Sequence, residues 1–196
     1  MNKCKLIAAS ALTVFSMCSF IAGCTDSGYK LISMKEGIQP FAFEYPSSYT
    51  LIRLDLRNDD YSKYTEVGLS GSYGSSYSEI YVYVWNAGNG LNSASMMMDQ
   101  LLTGAGDMKD YVLVFRNSVI IGDTLTEQAV FTADSAFSDP SSTLPANDSA
   151  TRPATYRVST MIYGGFALEI DMTCDQSLTD IVQDDYQHLL DTLKVG

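Results

Sequence analysis

Apolar and polar residues alternate along several short stretches of the chain, and this alternation is typical of β-strands with one buried face. Turn-forming residues separate the stretches, among them Pro46, Asn58 and the pair Gly164-Gly165, which is a strong hairpin signal. In the stretch 79–85 both alternating sets are apolar or aromatic, so we expect a central strand covered on both faces. The predicted strands are residues 41–45, 51–56, 64–69, 79–85, 111–115, 118–121, 125–133, 155–163 and 166–172.

Two segments change to the helical period of 3.6 residues. The first follows Asn92 as its N-cap and stops at Gly104, and its methionines favour core filling over a plastic binding surface. The second opens at Ser177 and Asp180, a variant of the capping box, and runs towards the carboxyl end. Antiparallel strands on both sides of a helix, followed by a closing helix, predict an α+β fold in which helices cover the faces of an antiparallel sheet.

One internal segment, residues 134–154, breaks these patterns. It contains three prolines among Ser, Thr, Ala and Asp, and few large apolar residues. A structureless segment of this length inside a compact domain is uncommon. We expect a mobile surface insertion that is dispensable for folding, rather than an ordered binding loop.

The amino-terminal segment has the pattern of a secretory signal peptide. Lys3 and Lys5 precede an uncharged run over residues 6–23, which is just long enough to span a bilayer but ends in small residues. The sequence IAGC at 21–24 resembles the bacterial lipobox, in which the cysteine is acylated on sulfur and becomes the first residue after cleavage. The alternative, a transmembrane anchor that ends at Cys24, is disfavoured by this ending.

The lipobox resemblance implies a division of the chain. Residues 1–23 are the signal peptide, and Cys24 carries the lipid that holds the protein at the extracytoplasmic face of a bacterial membrane. Two or more acyl chains anchor a protein stably without a spanning helix. Residues 24–39 are expected to be a lipidated tether with little to bury, and residues 40–196 to form a single domain.

Charge and cysteine content narrow the classes of function. The chain carries 23 acidic and 12 basic residues, a net charge of −11, and loss of the signal peptide would remove two lysines and no acid. Such an excess of acid argues against binding nucleic acid or anionic lipid headgroups through the folded domain. Cys4 and Cys18 would be lost with the signal peptide and Cys24 would carry the lipid, so Cys174 remains alone and no intramolecular disulfide is expected. We interpret Cys174 as a small packed residue.

Catalytic and metal-binding patterns are absent from the sequence. It contains no G-x-S-x-G, no Walker A motif, no Rossmann glycine pattern and no metal-spaced Cys/His set. The single histidine, His188, lies four residues after Asp184, and we interpret the two as a surface pair rather than catalytic groups. The acidic group formed by Asp55 and residues 58–60 lacks the EF-hand spacing and is interpreted as a solvated turn. We therefore predict no enzymatic activity, no cofactor and no metal.

Tyrosines are concentrated between residues 61 and 83. Tyrosine supplies rigid, amphipathic contact area. Tyr73 and Tyr77, which flank a predicted loop at 71–76, are the candidates for a partner-facing surface. The alternative is that they only brace a hairpin.

Five elements follow one another in a recognisable order across residues 40–194. They are FAFEYPSSY at 41–49, a helix after a central strand, Ile120-Ile121-Gly122 leading into 129–131, a hairpin over 156–170, and a closing helix that ends LLDTL at 189–193. In this order they resemble the PsbP-like family, whose founder is a lumenal extrinsic subunit of photosystem II and whose bacterial relatives are often lipoproteins. The resemblance implies an α/β/α sandwich around an antiparallel sheet, and a non-enzymatic accessory or binding module.

Two functions follow from this sequence. The first is a membrane-tethered module that binds a neighbouring envelope protein. The alternative is a solute- or glycan-binding lipoprotein. A ligand binder needs a deep, partly apolar pocket with convergent polar groups, whereas an interaction module needs only an exposed patch.

Overall fold

The computed structural model describes residues 23–24, 28–35, 39–58, 63–88, 92–135 and 151–196. The strands are β1 Gly23–Cys24, β2 Tyr29–Met34, β3 Phe41–Pro46, β4 Thr50–Asn58, β5 Lys63–Tyr73, β6 Ser76–Asn86, β7 Val112–Ile121, β8 Thr124–Ser135, β9 Arg152–Tyr163, β10 Phe166–Asp175 and β11 Lys194–Val195. The helices are α1 Ala94–Ala105 and α2 Gln183–Thr192, and a 3₁₀ turn at Gln176–Leu178 precedes α2.

The strands form two antiparallel sheets. Seven strands follow the order β4-β5-β6-β10-β9-β8-β7, and a smaller sheet follows the order β1-β2-β3-β11. Helix α1 packs on β8 and β9, while α2 packs on β3 of the small sheet. The α+β prediction is confirmed. The expectation of an α/β/α sandwich is corrected, because the layer on the α2 side is mostly a second sheet rather than a layer of helices.

Alternation along the strands sends side chains to opposite faces of the large sheet. On β10, Leu168, Ile170 and Met172 enter the main core beneath the small sheet and α2. The other face of the sheet meets α1, where Met98 packs with Phe131 in a second, smaller cluster. The largest fully buried side chains of the main core are Tyr49, Phe43, Ile32, Leu69, Ile80, Met161, Leu168, Ile170, Met172, Leu189 and Leu190.

The predicted central strand at 79–85 corresponds to β6, which lies third in the large sheet. Ile80, Val82 and Val84 are buried in the main core, but the aromatic residues between them are only partly buried. The prediction that both faces are covered is therefore correct for one face only.

Turn chemistry explains the hairpins. Gly164 and Gly165 both have positive φ, +57° and +87°, as a two-residue type I′ turn between β9 and β10 requires. The predicted loop at 71–76 is shorter than expected. Tyr73 pairs with Ser76 across a two-residue turn, so most of that segment belongs to β5 and β6.

Three element boundaries differ from the sequence-based expectation. The stretches 111–115 and 118–121 form the single strand β7, interrupted by a bulge between Leu113 and Phe115. The N-cap of α1 is Ser93, whose hydroxyl accepts a hydrogen bond from the Met96 N–H, rather than Asn92. Helix α2 begins at Gln183 without a side-chain cap, so the pair at Ser177 and Asp180 does not cap it.

The predicted tether and insertion are also revised. Residues 29–34 of the expected tether form β2, and Ile32 and Met34 are buried in the main core because β2 pairs with β3. At the insertion, residues 134–135 continue β8 and residues 152–154 begin β9, with the two strands still paired. Residues 136–150, and the signal peptide up to residue 22, lie outside the described residues.

Candidate functional site

Strand β7 ends the large sheet, and among the described residues no strand pairs with its outer edge. Seven of its ten side chains are apolar, and five of these seven are exposed. More than half of the exposed large apolar side chains in the described part of the chain lie on the β7–β8 hairpin, namely Val112, Leu113, Val114, Phe115, Ile120 and Leu125. An unpaired apolar edge is a template for another strand, and natural proteins usually blunt it with charges, bulges or a cover.

Two neighbouring cavities lie between the β7–β8 hairpin and α2. One cavity of about 230 Å³ is bordered by Phe115 on β7, Arg157 on β9 and Gln183 on α2. A second cavity of about 290 Å³ runs past Val119 and Ile121 towards the end of α2. Both cavities share Gln128 on β8 and Gln187 on α2. We call these two adjacent cavities together the α2 cleft.

The α2 cleft is modest in size. Pockets for drug-sized ligands measure about 300–1,000 Å³, and each half of the cleft is smaller. The cleft therefore gives less support to the solute- or glycan-binding alternative than to a contact surface.

Arg157 occupies an unusual position at the wall of the cleft. Its Nη2 donates a hydrogen bond to Gln183 Oε1 at 2.9 Å, and its Nε is buried with no acceptor. Its charge lowers the pKa of the neighbouring Cys174, and this lowering is weaker than the rise that burial causes. The guanidinium is thus partly desolvated and incompletely hydrogen-bonded.

Two carboxyl groups meet on the α1-facing side of β10. Burial raises the pKa values of Glu169 and Asp171, that of Asp171 well above its ordinary value, and the neighbouring Glu169 raises the pKa of Asp171 further. Asp171 Oδ1 has no hydrogen-bond partner, so the pair is a source of instability once it ionises.

Tyr73 and Tyr77 both contact other residues of the same chain. The Tyr73 hydroxyl donates to Asp185 Oδ2 at 3.3 Å, and its ring meets that of Tyr49 edge to face. The Tyr77 N–H donates to Asp175 Oδ2 at 2.8 Å, and the guanidinium of Arg152 lies 5.7 Å from its ring centroid. These contacts agree with the hairpin-bracing interpretation, and a partner-facing role for the two tyrosines stays a prediction.

His188 has a different partner from the one expected. Its Nε2 lies 2.9 Å from Glu44 Oε2, and its ring stacks on Tyr29 with centroids 3.7 Å apart. The expected surface pair with Asp184 is therefore wrong, because the helix turns His188 towards β3 and β2 rather than along its own surface.

The structure tests the interpretation of Cys174 as a packed residue, but it does not test lipidation at Cys24. Cys174 is buried, which confirms that it is a packed residue, and burial raises its thiol pKa to about 11. Cys24 lies on β1, where its backbone pairs with Lys30. The chemistry expected at Cys24 stays a prediction.

Metal and membrane features can be stated for the described part of the chain. There, no group of three or more His, Cys, Asp or Glu side chains is arranged to hold a metal ion. No described helix is both long enough and apolar enough to cross a bilayer. Of the acidic group considered for calcium, Asp55 accepts a hydrogen bond from the Tyr64 hydroxyl at 3.0 Å, and residues 59–62 lie outside the described residues.

Sequence reasoning did not find the edge or the cleft. The contiguous apolar run at 112–115 was a usable signal, since it departs from strict alternation. Arg157 gave no such signal, because its partner Gln183 lies 26 positions away and meets it only in the folded chain.

Comparison with known proteins gives a likeness of fold. The sequence matches no protein-family model and no curated protein. Among solved structures, the cyanobacterial PsbP protein CyanoP from Synechocystis sp. PCC 6803 is similar with a TM-score of 0.55 and 10% identity, over 89% of this chain and 98% of that one.

Two further structures are similar. LpqN from Mycobacterium tuberculosis has a TM-score of 0.50 and 8% identity, over 87% of this chain and 92% of its own. A protein of unknown function from Pseudomonas aeruginosa has a TM-score of 0.51 and 13% identity, over 74% of this chain and 94% of its own. At these identities the likeness concerns the fold alone, and the chain has a PsbP-like fold in a sheet-rich α+β form.

Proposed function

We propose that this protein is a lipid-anchored, extracytoplasmic accessory module that binds an envelope protein through the β7–β8 hairpin. The observation that carries the proposal is the outer edge of β7, which combines unpaired backbone groups with exposed apolar side chains. We further propose that the partner supplies an extended segment that adds a strand to this edge. In that mode, main-chain hydrogen bonds give affinity and alternate side chains give specificity.

The dimensions of the edge support this occupant. Strand β7 has ten residues, and residues 115–121, beyond its bulge, form an uninterrupted run that can pair with an extended segment. Exposed side chains lie on both faces of the hairpin, since Leu113 is opposite Phe131, which faces α1, while Phe115 lines the α2 cleft. An added strand would therefore bury apolar surface on both of its faces, and this burial drives association.

The proposed anchor would hold the domain close to the membrane. Cys24 lies five positions before Tyr29, the first residue of β2. Five residues reach at most about 17 Å when fully extended. A short link raises the effective concentration of the domain towards other membrane proteins, so a weak contact would suffice.

Similarity of fold lends this proposal a second line of support. LpqN is described as involved in cell envelope biogenesis, and an accessory envelope role for the present chain is consistent with that description.

The proposed mechanism is contact, without catalysis, cofactor or nucleic acid. His188 is engaged with Glu44 and Tyr29, and the Cys174 thiol is buried with a raised pKa. In this proposal both groups have structural roles, and neither acts as a nucleophile or a general base.

The proposal can be tested with charged substitutions on the edge. Ile120→Lys and Val112→Lys place a charge on side chains that are 66% and 58% exposed, so folding should be unaffected. Ile181→Lys is the matched control, because Ile181 is also 58% exposed but lies in the turn before α2. After crosslinking in intact cells, pull-down should recover an envelope protein with the wild type and Ile181→Lys, and recover much less with the edge variants. Equal recovery from all four proteins would refute the proposal.

A further inference from the structure

Arg157 differs from the other arginines whose side chains the structure describes, because its partner is not a carboxylate. Arg53 lies 3.0 Å from Glu66, Arg116 lies 3.1 Å from Glu127, and Arg152 lies 3.2 Å from Asp175. Arg157 has Gln183 as its hydrogen-bond acceptor and no carboxylate. In a chain with 23 acidic and 12 basic residues, carboxylates are plentiful, so the lack of a carboxylate beside this arginine is distinctive.

Part of the Arg157 guanidinium is buried without a hydrogen-bond partner. Its Nε is inaccessible to water and has no acceptor. A buried N–H group without an acceptor is disfavoured, because burial removes its hydrogen bonds to water. An anion from outside the chain would relieve this cost, and the structure provides a place for one.

That place is the end of the α2 cleft that Phe115 borders. Arg157 and Gln183 both line the cavity of about 230 Å³, so the guanidinium lies at its wall. The side-chain amides of Gln128 and Gln187 line the same cavity. Amide N–H groups donate hydrogen bonds to anionic oxygens without adding charge.

We propose that this end of the α2 cleft binds one oxyanion group, a carboxylate or a phosphate, with Arg157 as its cationic partner. The planar guanidinium offers parallel N–H donors that suit both kinds of group. The site admits a single anionic group, because Asp191 borders the neighbouring cavity and would repel a second one. This inference does not depend on the partner proposed for β7, since a free anion would bind here in the absence of any protein partner.

The test is the thermal unfolding of the full chain in non-ionic detergent, followed by circular dichroism. Sodium acetate and inorganic phosphate are titrated separately, with sodium chloride at the same ionic strength as the reference. A ligand that binds only the folded state raises the unfolding midpoint in a saturable manner. A response to acetate alone identifies a carboxylate site, a response to phosphate alone identifies a phosphate site, and a response to both identifies a general oxyanion site.

Variants assign the response to Arg157. Arg157→Gln should abolish it, and Arg157→Lys, which keeps the charge and loses the planar donors, should weaken apparent binding by about tenfold or more. Arg152→Gln is the control, because Arg152 lies on the same strand and has Asp175 as its partner. If Arg157→Gln fails to fold, Arg157→Lys decides the question alone. The inference is wrong if neither anion gives a saturable rise, or if the rise persists unchanged in the Arg157 variants.

Discussion

His188 and Glu44 lie 2.9 Å apart, Nε2 to Oε2, although 144 positions separate them in the sequence. The contact joins α2 to β3. The ring of Tyr29, on β2, stacks on the imidazole, so β2 is joined to α2 as well. The Glu44 N–H also donates to Thr192 Oγ1 at 3.0 Å, near the end of α2. The first strands after the proposed lipid site are therefore bound to the last helix of the chain.

These contacts of α2 with β2 and β3 predict that β2 is needed for stability. Ile32→Ala should lower the free energy of unfolding by about 2–5 kcal/mol, because it removes a fully buried side chain from the main core. Lys35→Ala, just beyond the strand and exposed, should change it by less than about 0.5 kcal/mol. Urea unfolding of the full chain measures both values. A tether without structure would give two equally small effects.

A second prediction concerns the anchoring of α2 on the large sheet. The buried Tyr186 hydroxyl donates to the Ile170 carbonyl at 3.0 Å and lies 2.8 Å from Ser159 Oγ. Tyr186→Phe should cost about 1–3 kcal/mol, because it leaves buried polar groups without a partner. Tyr163→Phe on β9 is the matched control, since Tyr163 is exposed. Denaturant unfolding of the two variants checks the difference, and equal stability would contradict it.

The pair formed by Glu169 and Asp171 predicts a dependence of stability on pH. The pKa of Asp171 is raised by burial and by the neighbouring Glu169. From about pH 4, where an unfolded Asp loses its proton, up to the raised pKa, the folded protein holds a proton that the unfolded chain has lost. In this window the free energy of unfolding falls as pH rises.

Asp171→Asn should remove this part of the pH dependence. Relative to the wild type, the variant should gain stability as pH rises from about 4 to the raised pKa of Asp171, because the asparagine does not ionise. Asp107→Asn, at an exposed position after α1, is the control and should show no such trend. Unfolding free energies measured across this range decide the question, and parallel curves for Asp171→Asn and the wild type would contradict the account.

The sequence predicted the elements that local chemistry determines. Gly164-Gly165 fixes the β9–β10 hairpin because two residues with positive φ suit a type I′ turn, and alternation identified most strands of the large sheet. Strand β2 escaped prediction because its burial depends on pairing with β3 and not on its own short pattern. The α2 cleft was not predicted for a similar reason, since β7, β9 and α2 meet there only through the topology of the fold.

The lipobox predicts a covalent change at Cys24. Expressed in a bacterium and labelled with a fatty-acid analogue, the wild-type protein should carry the label and Cys24→Ala should not. Cys174→Ala is the control, because the Cys174 thiol is buried and should make no difference to labelling. Equal labelling of the wild type and Cys24→Ala would show that Cys24 is not the site of acylation.

The central claim, that the outer edge of β7 is where the protein meets its partner, is tested most directly by site-specific photo-crosslinking in intact cells. A photoreactive amino acid is placed at Ile120 on β7 in one variant and at Ile181 in another, two exposed positions in different parts of the fold. The account predicts that Ile120 yields a crosslink to one defined envelope protein and that Ile181 does not. No crosslink from Ile120, or the same crosslinks from both positions, would contradict it.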